Sequence, residues 1–266
     1  MDGPVTPLGG IHPEAKPHPG RKWFLIGIFL LIIIVAIAIA SSYVAHAEQM
    51  GVAVVRLDGT IVSGNVDDGS SIGSEVVGKE LRDAADDPMT EAIVLRVNSP
   101  GGTPAGAEEI ISDMEYAKTK KPVVVSMGDM ATSAAYYVSS HADKIYADQD
   151  TFTGAIGVLW EFSDISKWSN DEGYNTTIVK SGAFKDMGNP SRPLTVDEQA
   201  YAQQIVNESF TTFINDVTTQ RPINRADIED GRVIRGADAV KLHLVDAIGN
   251  LNDAINGAKE LARKRA

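Results

Sequence analysis

The sequence predicts an α/β domain with a largely parallel sheet, preceded by one N-terminal transmembrane helix. Three observations support this prediction. An uncharged apolar run covers residues 23–40, short apolar segments alternate with amphipathic ones after residue 50, and the 266 residues suffice to bury one substantial core. Short apolar strands that alternate with helices are typical of a parallel sheet with both faces covered.

The apolar run WFLIGIFLLIIIVAIAIA contains 18 residues. That length is near the minimum for a helix crossing a bilayer core of about 30 Å. Lys16, Arg21 and Lys22 precede the run, whereas the first charge after it is Glu48. Because positively charged flanks stay on the cytoplasmic side, the run predicts a single-pass helix in the cell membrane. The N-terminus is then cytoplasmic and the rest of the chain extracytoplasmic.

This prediction divides the chain into three parts. They are a disordered, proline-rich cytoplasmic tail over 1–22, a transmembrane anchor over 23–43 and an extracytoplasmic domain over 46–266. The tripeptide AHA at 45–47 also resembles a signal peptide cleavage site. We favour an uncleaved anchor in the lipid bilayer, because the apolar run exceeds the roughly 7 to 15 residues usual in a signal peptide.

Hydrophobic periodicity assigns the elements of the domain in chain order. Strands are predicted over 51–57, 91–97, 122–127, 144–147, 157–162 and 174–180. Helices are predicted over 74–87, 104–120, from Ser133 onward, over 195–220, near 236–243 and near 251–264. Thr195 is a suitable N-cap for the long helix, and the acidic residues that follow it favour a helix N-terminus.

The composition excludes several classes of function. The formal net charge of −12 argues against nucleic acid as the main partner, because phosphate binding requires a basic face. The chain contains no cysteine, which excludes disulfides, thiol catalysis and cysteine-ligated zinc. The five histidines are too scattered to suggest a metal site, and no nucleotide-binding motif is complete, so we expect neither a metal nor another cofactor.

Ser133 is a candidate nucleophile, because it lies among small residues between a predicted strand and a predicted helix. A serine hydroxyl needs a base to take its proton. Of the histidines, His141 lies two turns further along the same predicted helix, about 12 Å away, and His243 could approach only through tertiary folding. His12, His18 and His46 lie in the tail or beside the membrane. A Ser-His-Asp triad is therefore not expected.

Lysine can replace histidine as the base when it is neutral. The segment IVKSGAFKDMGNPSRPLT offers Lys180, at the end of a predicted strand, and Lys185, in a loop rich in glycine and proline. A solvated surface lysine is the simpler interpretation of each, and the residues alone do not choose between them.

The turn NSPGG at 98–102 could cradle a phosphate, form an oxyanion hole or serve only as a tight turn.

The motifs occur in a familiar order: NSPGG, SMGDMATSAAYYVSSHADKIYA, TFTGAIGV, KSGAFKDMGNPSRPLT and GRVIRGADAVKLHLVDAIG. In this order they resemble the membrane-anchored Ser-Lys signal peptide peptidases of the SppA type over about residues 51–255. The resemblance implies a crotonase/Clp-protease-like domain of repeated β-β-α and βα units. It also implies Ser133 as nucleophile and Lys185 as general base, with an oxyanion hole formed by Gly101 or Gly102 and by Ala134.

The family cleaves peptides, notably signal peptide remnants left in the membrane, so we expect such remnants or unfolded polypeptides as substrates. It forms homo-oligomeric rings in which neighbouring subunits of short forms can share one dyad. Two positions differ from the family pattern. Ala134 and Ala135 follow the nucleophile where the family has glycines, and Ala155 replaces a serine that bonds the lysine. Thr153 is the candidate to orient the lysine instead.

Two other functions are compatible with the same motifs. Acyl-CoA chemistry uses the same general fold and an oxyanion hole, and Glu108 and Glu109 would supply its carboxylates. The predicted extracytoplasmic location argues against it. A catalytically impaired, membrane-tethered scaffold is the second alternative, and Ala134 and Ala155 are the residues that favour it.

Overall fold

The computed structural model describes residues 26, 28–37, 39 and 51–265. Residues 28–37, called α1, are helical. Within the described residues no helix combines the length and the apolar character needed to cross a membrane. The tail over 1–22 and the other residues of the predicted anchor lie outside the described residues, so the anchor stays a prediction. The compact unit that contains the strands begins at Gly51.

The strands and helices of this unit alternate as the sequence predicts. The strands are β1 Gly51–Asp58, β2 Thr60–Val62, β3 Ser71–Gly73, β4 Thr90–Ser99, β5 Val123–Thr132, β6 Lys144–Ala147, β7 Phe152–Gly154, β8 Val233–Arg235 and β9 Ala247–Ile248. The helices are α2 Ser74–Asp86, α3 Pro104–Lys118, α4 Ala134–Ser140, α5 Ser166–Asp171, α6 Val196–Gln220, α7 Gly236–Lys241 and α8 Leu251–Arg265, with one 3₁₀ turn at Arg225–Asp227.

The main sheet has the order β1-β4-β5-β6-β9, and β7 joins it through the end of β5. All of these pairs are parallel, and only β7 and β8 pair antiparallel among the described strands. The short strands β2 and β3 form a separate parallel pair. The largely parallel sheet predicted from the sequence is therefore confirmed.

Helices cover both faces of the sheet, and β4 shows why the centre of such a strand, residues 92–95, is apolar without a break. Ile93, Leu95 and Val97 belong to the large core under α2, α3, α4 and α6. Ala92 and Val94 face the opposite way and pack in a smaller core with α8. Because successive side chains of a strand point to opposite faces, a strand buried on both sides needs an unbroken apolar run.

Two predicted strands are wrong. Residues 157–162 and 174–180 form no strand, and both segments lie on the surface. Leu159 is 83% exposed and Val179 95% exposed, and only Val158 of these segments packs against the core, so the apolar side chains that suggested strands lie mostly at the surface. No strand of the described part of the chain pairs with either segment. The missed strands β2, β3, β7, β8 and β9 have two or three residues each, too few to show a periodic pattern.

Candidate active site

Ser133 lies at the junction between β5 and α4, with φ 55° and ψ −125°. A positive φ is uncommon for a residue with a side chain and costs on the order of 1–3 kcal/mol. The turn is held by hydrogen bonds from Ser133 N to the Gly154 carbonyl (2.8 Å) and from Tyr137 N to the Ser133 carbonyl (2.9 Å). The Ser133 hydroxyl makes no capping bond to α4. Such a strained strand-to-helix turn exposes a nucleophile in other hydrolases.

The glycine turn after β4 packs directly against Ser133. Gly101 has φ 106°, and a methyl group in its place would lie 2.9 Å from Ser133 Cβ and 3.0 Å from Ala134 N. The Gly101 carbonyl accepts from Ile61 N, and Thr103 N donates to the Ile61 carbonyl, both at 2.9 Å. These bonds tie the turn to β2, so the structure brings the glycine turn and the start of α4 together.

The backbone N–H groups of this turn have different surroundings. Gly101 N donates to the Ser99 hydroxyl (3.1 Å), so this N–H already has an acceptor. For Gly102 N, no acceptor is found in the described part of the chain. Ala134 is the first residue of α4, and the first N–H groups of a helix have no intrahelical acceptor. Gly102 and Ala134 therefore offer the available donors beside Ser133.

A cavity of about 780 Å³ opens beside Ser133, and Gly102, Ala134 and Ala155 contribute to its lining. Its apolar wall comes from Tyr137, Ile156, Val158, Val206, Phe210 and Phe213. Three of these residues lie on α6 with spacings of four and three, which puts them on one face of the helix. The spacing of Val206, Phe210 and Phe213 is visible in the sequence of α6, but their place in the cavity wall was not predicted from it.

The histidines of the described domain do not serve Ser133. His141 is buried, and its Nδ1 and Nε2 lie 3.0 Å from Glu115 Oε1 and 3.1 Å from Asp216 Oδ2. It therefore links α3, α4 and α6 at the far end of α4. His243 is exposed and does not line the cavity.

Burial and the contact with Asp216 raise the pKa of the Tyr137 hydroxyl, so this cavity residue remains protonated near neutral pH.

The structure does not bring Lys185 to this cavity within one chain. Lys185 is exposed and is not among the lining residues. Its backbone N donates to the Gly182 carbonyl (3.2 Å), but within the described residues its side chain has no hydrogen-bond or ion-pair partner. Lys180, the other candidate, is engaged by Asp186 and by the Ala183 carbonyl (2.8 Å). Of the two lysines, only Lys185 has an amine without such a partner.

Thr153, the candidate for orienting the lysine, is fully buried, and its hydroxyl donates to the Ala131 carbonyl (2.8 Å). It thus joins β7 to β5 and does not line the cavity. Ala155 does line it and has a positive φ of 49°. The two glutamates considered for acyl-CoA chemistry separate: the Glu109 carboxylate accepts from the Ser74 hydroxyl, whereas Glu108 lines the cavity.

Comparison with known proteins gives consistent matches. The chain is 35% identical over 224 residues to Protease 4 of Haemophilus influenzae, covering 80% of this chain and 35% of that protein. It is 29% identical over 218 residues to the chloroplastic serine protease SPPA of Arabidopsis thaliana, covering 79% of this chain and 32% of that protein. The chain thus spans only about a third of the length of these two relatives.

Among solved structures, a mutant of the 1510-N membrane-bound stomatin-specific protease aligns with a TM-score of 0.51 and 17% identity. The alignment covers 77% of this chain and 83% of that one and supports a shared fold. The family model described as peptidase family S49 matches residues 115–265, more than half of the chain. With its α/β fold and its relatives, this match shows that the chain belongs to peptidase family S49.

Proposed function

We propose that this chain is a serine endopeptidase that hydrolyses peptide bonds through an acyl-enzyme on Ser133, with Lys185 as general base. The observation that carries the proposal is the strained turn at Ser133, with two backbone N–H donors and an apolar cavity beside the hydroxyl. Membership in peptidase family S49 supports the same chemistry. Neither a metal nor a nucleotide takes part in the proposed reaction.

The reaction runs in two halves. Neutral Lys185 takes the proton from the Ser133 hydroxyl, and Oγ bonds to the scissile carbonyl carbon. The N–H groups of Gly102 and Ala134 donate to the resulting oxyanion. The C–N bond then breaks, and the Lys185 ammonium returns its proton to the leaving amine. Water attacks the ester by the same route, which releases the acid and regenerates Ser133.

We further propose that Lys185 acts on a neighbouring copy of the chain in a homo-oligomeric ring. Two observations support this assignment: the Lys185 amine has no partner among the described residues, and Lys185 does not line the cavity of its own chain. Apolar side chains are exposed in the segment before the lysine, at Leu159, Trp160, Trp168, Tyr174 and Val179. Exposed apolar patches of this kind mark interaction sites, and a closed ring can cover them on every copy.

The proposed substrates are signal peptide remnants or unfolded polypeptides. The apolar wall of the cavity suits the aliphatic side chains of such remnants, and relatives of the chain are named SPPA and Protease 4. The apolar run at 23–40 would hold the peptidase domain at the extracytoplasmic face of the membrane, where these remnants arise.

Turnover of an unfolded protein by the full chain in detergent tests the assignment, with Ser133→Ala and Lys185→Ala compared with wild type. We expect both variants to lose activity by at least about a hundredfold, since each removes a reacting group. If both variants retain wild-type turnover, the dyad is wrong. A wild-type protein that cleaves no peptide would instead favour the scaffold function considered from Ala134 and Ala155.

A further inference from the structure

The loop that carries Lys185 is held by an ion-pair network centred on Arg192. The guanidinium of Arg192 binds Asp186 with two hydrogen bonds, Nε to Oδ2 (2.8 Å) and Nη2 to Oδ1 (2.7 Å). The same group binds Glu198 with two more, Nη1 to Oε2 (2.8 Å) and Nη2 to Oε1 (2.6 Å). Paired contacts of this kind fix both distance and orientation.

Both carboxylates of the network are withdrawn from solvent. The side chain of Asp186 is 8% exposed and that of Glu198 is 2% exposed, whereas most ion pairs on this domain lie at the surface. Lys180 also binds Asp186, with 2.5 Å between Nζ and Oδ1. Residues from both ends of the segment 180–192 therefore meet at the carboxylate that directly follows Lys185.

Glu198 connects the network to the start of α6. Its Oε2 accepts from Thr195 N (2.9 Å), and the Thr195 hydroxyl accepts from Glu198 N (3.2 Å), which completes a capping box. The residue before Lys185 is attached to the same helix, because the rings of Phe184 and Tyr201 meet edge to face with centroids 5.5 Å apart. Both sequence neighbours of Lys185 are thus fixed on the first two turns of α6.

The helix that holds the lysine loop also forms the wall of the cavity. Val206 lies eight residues after Glu198, and Phe213 fifteen, which is about 12 Å and 22 Å along an α-helix. α6 runs through 25 residues without a break. The position of Lys185 is therefore defined relative to a rigid element, at one end of the helix, whereas the cavity of the same chain lies along its middle.

We propose that Arg192, with Asp186 and Glu198, is the positioning device for Lys185. The inference rests on the proposed role of Lys185 as general base. A base must come within hydrogen-bond reach of the proton that it takes, and a lysine reaches that point through four flexible side-chain bonds. The network fixes the backbone from which the side chain extends, so only the side-chain bonds remain to be ordered when the site assembles.

The test compares Arg192→Met with Arg221→Met in the full chain. Arg221 is the control: it caps the other end of α6, is more buried than Arg192 (side chain 8% against 24% exposed) and binds Asp246 at 2.7 Å. With a fluorogenic peptide, we expect Arg192→Met to lower kcat at least about tenfold with KM nearly unchanged. The reason is that the substitution displaces the Lys185 amine and leaves the cavity that binds the substrate unchanged. Arg221→Met is expected to keep kcat within about twofold. Arg192→Lys, which keeps the charge, should recover part of the loss.

A double substitution separates positioning from loss of folding. A p-nitrophenyl ester has a good leaving group, so its residual rate of hydrolysis remains measurable in inactive variants. With this substrate, adding Arg192→Met to Lys185→Ala should not lower the rate of hydrolysis any further. An additional loss in that background, or equal kcat values for Arg192→Met and Arg221→Met, overturns the positioning role. If Lys185→Ala itself keeps full activity, the proposed function fails instead. Thermal unfolding of each variant establishes that it is folded at the assay temperature.

Discussion

Gly101 and Ser133 are in such close contact that a methyl group on Gly101 would lie 2.9 Å from Ser133 Cβ. The same methyl group would lie 2.9 Å from the Thr132 carbonyl oxygen. The glycine turn and the nucleophile turn therefore fit each other only because one of them lacks a side chain. The same contact brings the Ala134 N–H, one of the two proposed donors, directly against the glycine turn, because the methyl group would lie 3.0 Å from Ala134 N.

Gly101→Ala should lower both stability and activity. The φ of 106° is strained for alanine, and the new methyl group meets backbone atoms that cannot move independently. We expect a loss of about 1–3 kcal/mol in the free energy of unfolding and at least a tenfold loss in kcat/KM. Gly51→Ala is the control, because a methyl group at Gly51 meets nothing within 4 Å and Gly51 lies outside the site. Equal unfolding temperatures and activities for the two variants would contradict the close fit.

Two inactive variants should restore activity together if the dyad is shared between copies. In rings assembled from equal amounts of Ser133→Ala and Lys185→Ala chains, about a quarter of the sites receive both an intact serine and an intact lysine. Co-expression followed by a fluorogenic peptide assay measures this fraction. Each variant expressed alone is the control. Mixed rings that remain as inactive as the separate variants would exclude a dyad shared between neighbours.

The activity should rise toward alkaline pH. Lys185 acts as a base only after losing its proton, and the neutral fraction of a lysine increases with pH. We expect kcat/KM for a fluorogenic peptide to increase between about pH 7 and 9, with unfolding temperature measured in parallel. A decrease in activity over that range in a folded protein would rule out the lysine base.

The Arg192 network should stabilise the domain less in acid. Hydrogen bonds from Arg192 and from the Thr195 backbone lower the pKa of Glu198 to about 2, and Arg192 and Lys180 lower the pKa of Asp186. Carboxylates with a lowered folded-state pKa stabilise the fold fully above their unfolded pKa of about 4, and this contribution disappears as the pH falls toward 2. The difference in unfolding temperature between wild type and Arg192→Met should therefore shrink between pH 5 and about pH 2. A constant difference would contradict these pKa values.

A larger side chain at Val206 should change the substrate preference. Val206 lines the cavity beside Ser133, so Val206→Trp reduces the volume open to a substrate side chain. We expect kcat/KM to fall about tenfold more for peptides with leucine or phenylalanine at the bound position than for peptides with alanine. Gln203→Trp, an exposed position of α6 outside this cavity, is the control. The same relative preference in both variants would mean that the cavity does not bind the side chain.

The predictable parts of the fold are those in which burial leaves a periodic pattern. β4 and β5 have unbroken apolar stretches at 92–95 and 123–125 because both of their faces are covered there. The start of α6 was predictable because Thr195 is a suitable N-cap followed by acidic residues. The segments 157–162 and 174–180 carry equally apolar residues without forming strands. Most of their side chains are exposed in the described part of the chain, and a sequence pattern does not distinguish an apolar residue in a core from one on the surface.

The site was predictable where it depends on local residues. Small residues between a strand and a helix located the turn at Ser133, and the structure confirms that position for the turn. The resemblance singled out Lys185, but its surroundings depend on contacts made in a loop. Arg192 binds Asp186 and Glu198 across six residues each, a spacing that no regular element imposes and no pattern reveals. The hydroxyl of Thr153 bonds a carbonyl of β5, a contact that only tertiary structure determines.

The φ of 55° at Ser133 also limits which amino acid can serve as nucleophile. Threonine carries a hydroxyl of similar reactivity, but a β-branched residue with positive φ is a steric outlier. Ser133→Thr should therefore disturb the turn itself, together with the bond from residue 133 to the Gly154 carbonyl. The backbone conformation at this position therefore favours serine over threonine, independently of the reactivity of the two hydroxyl groups.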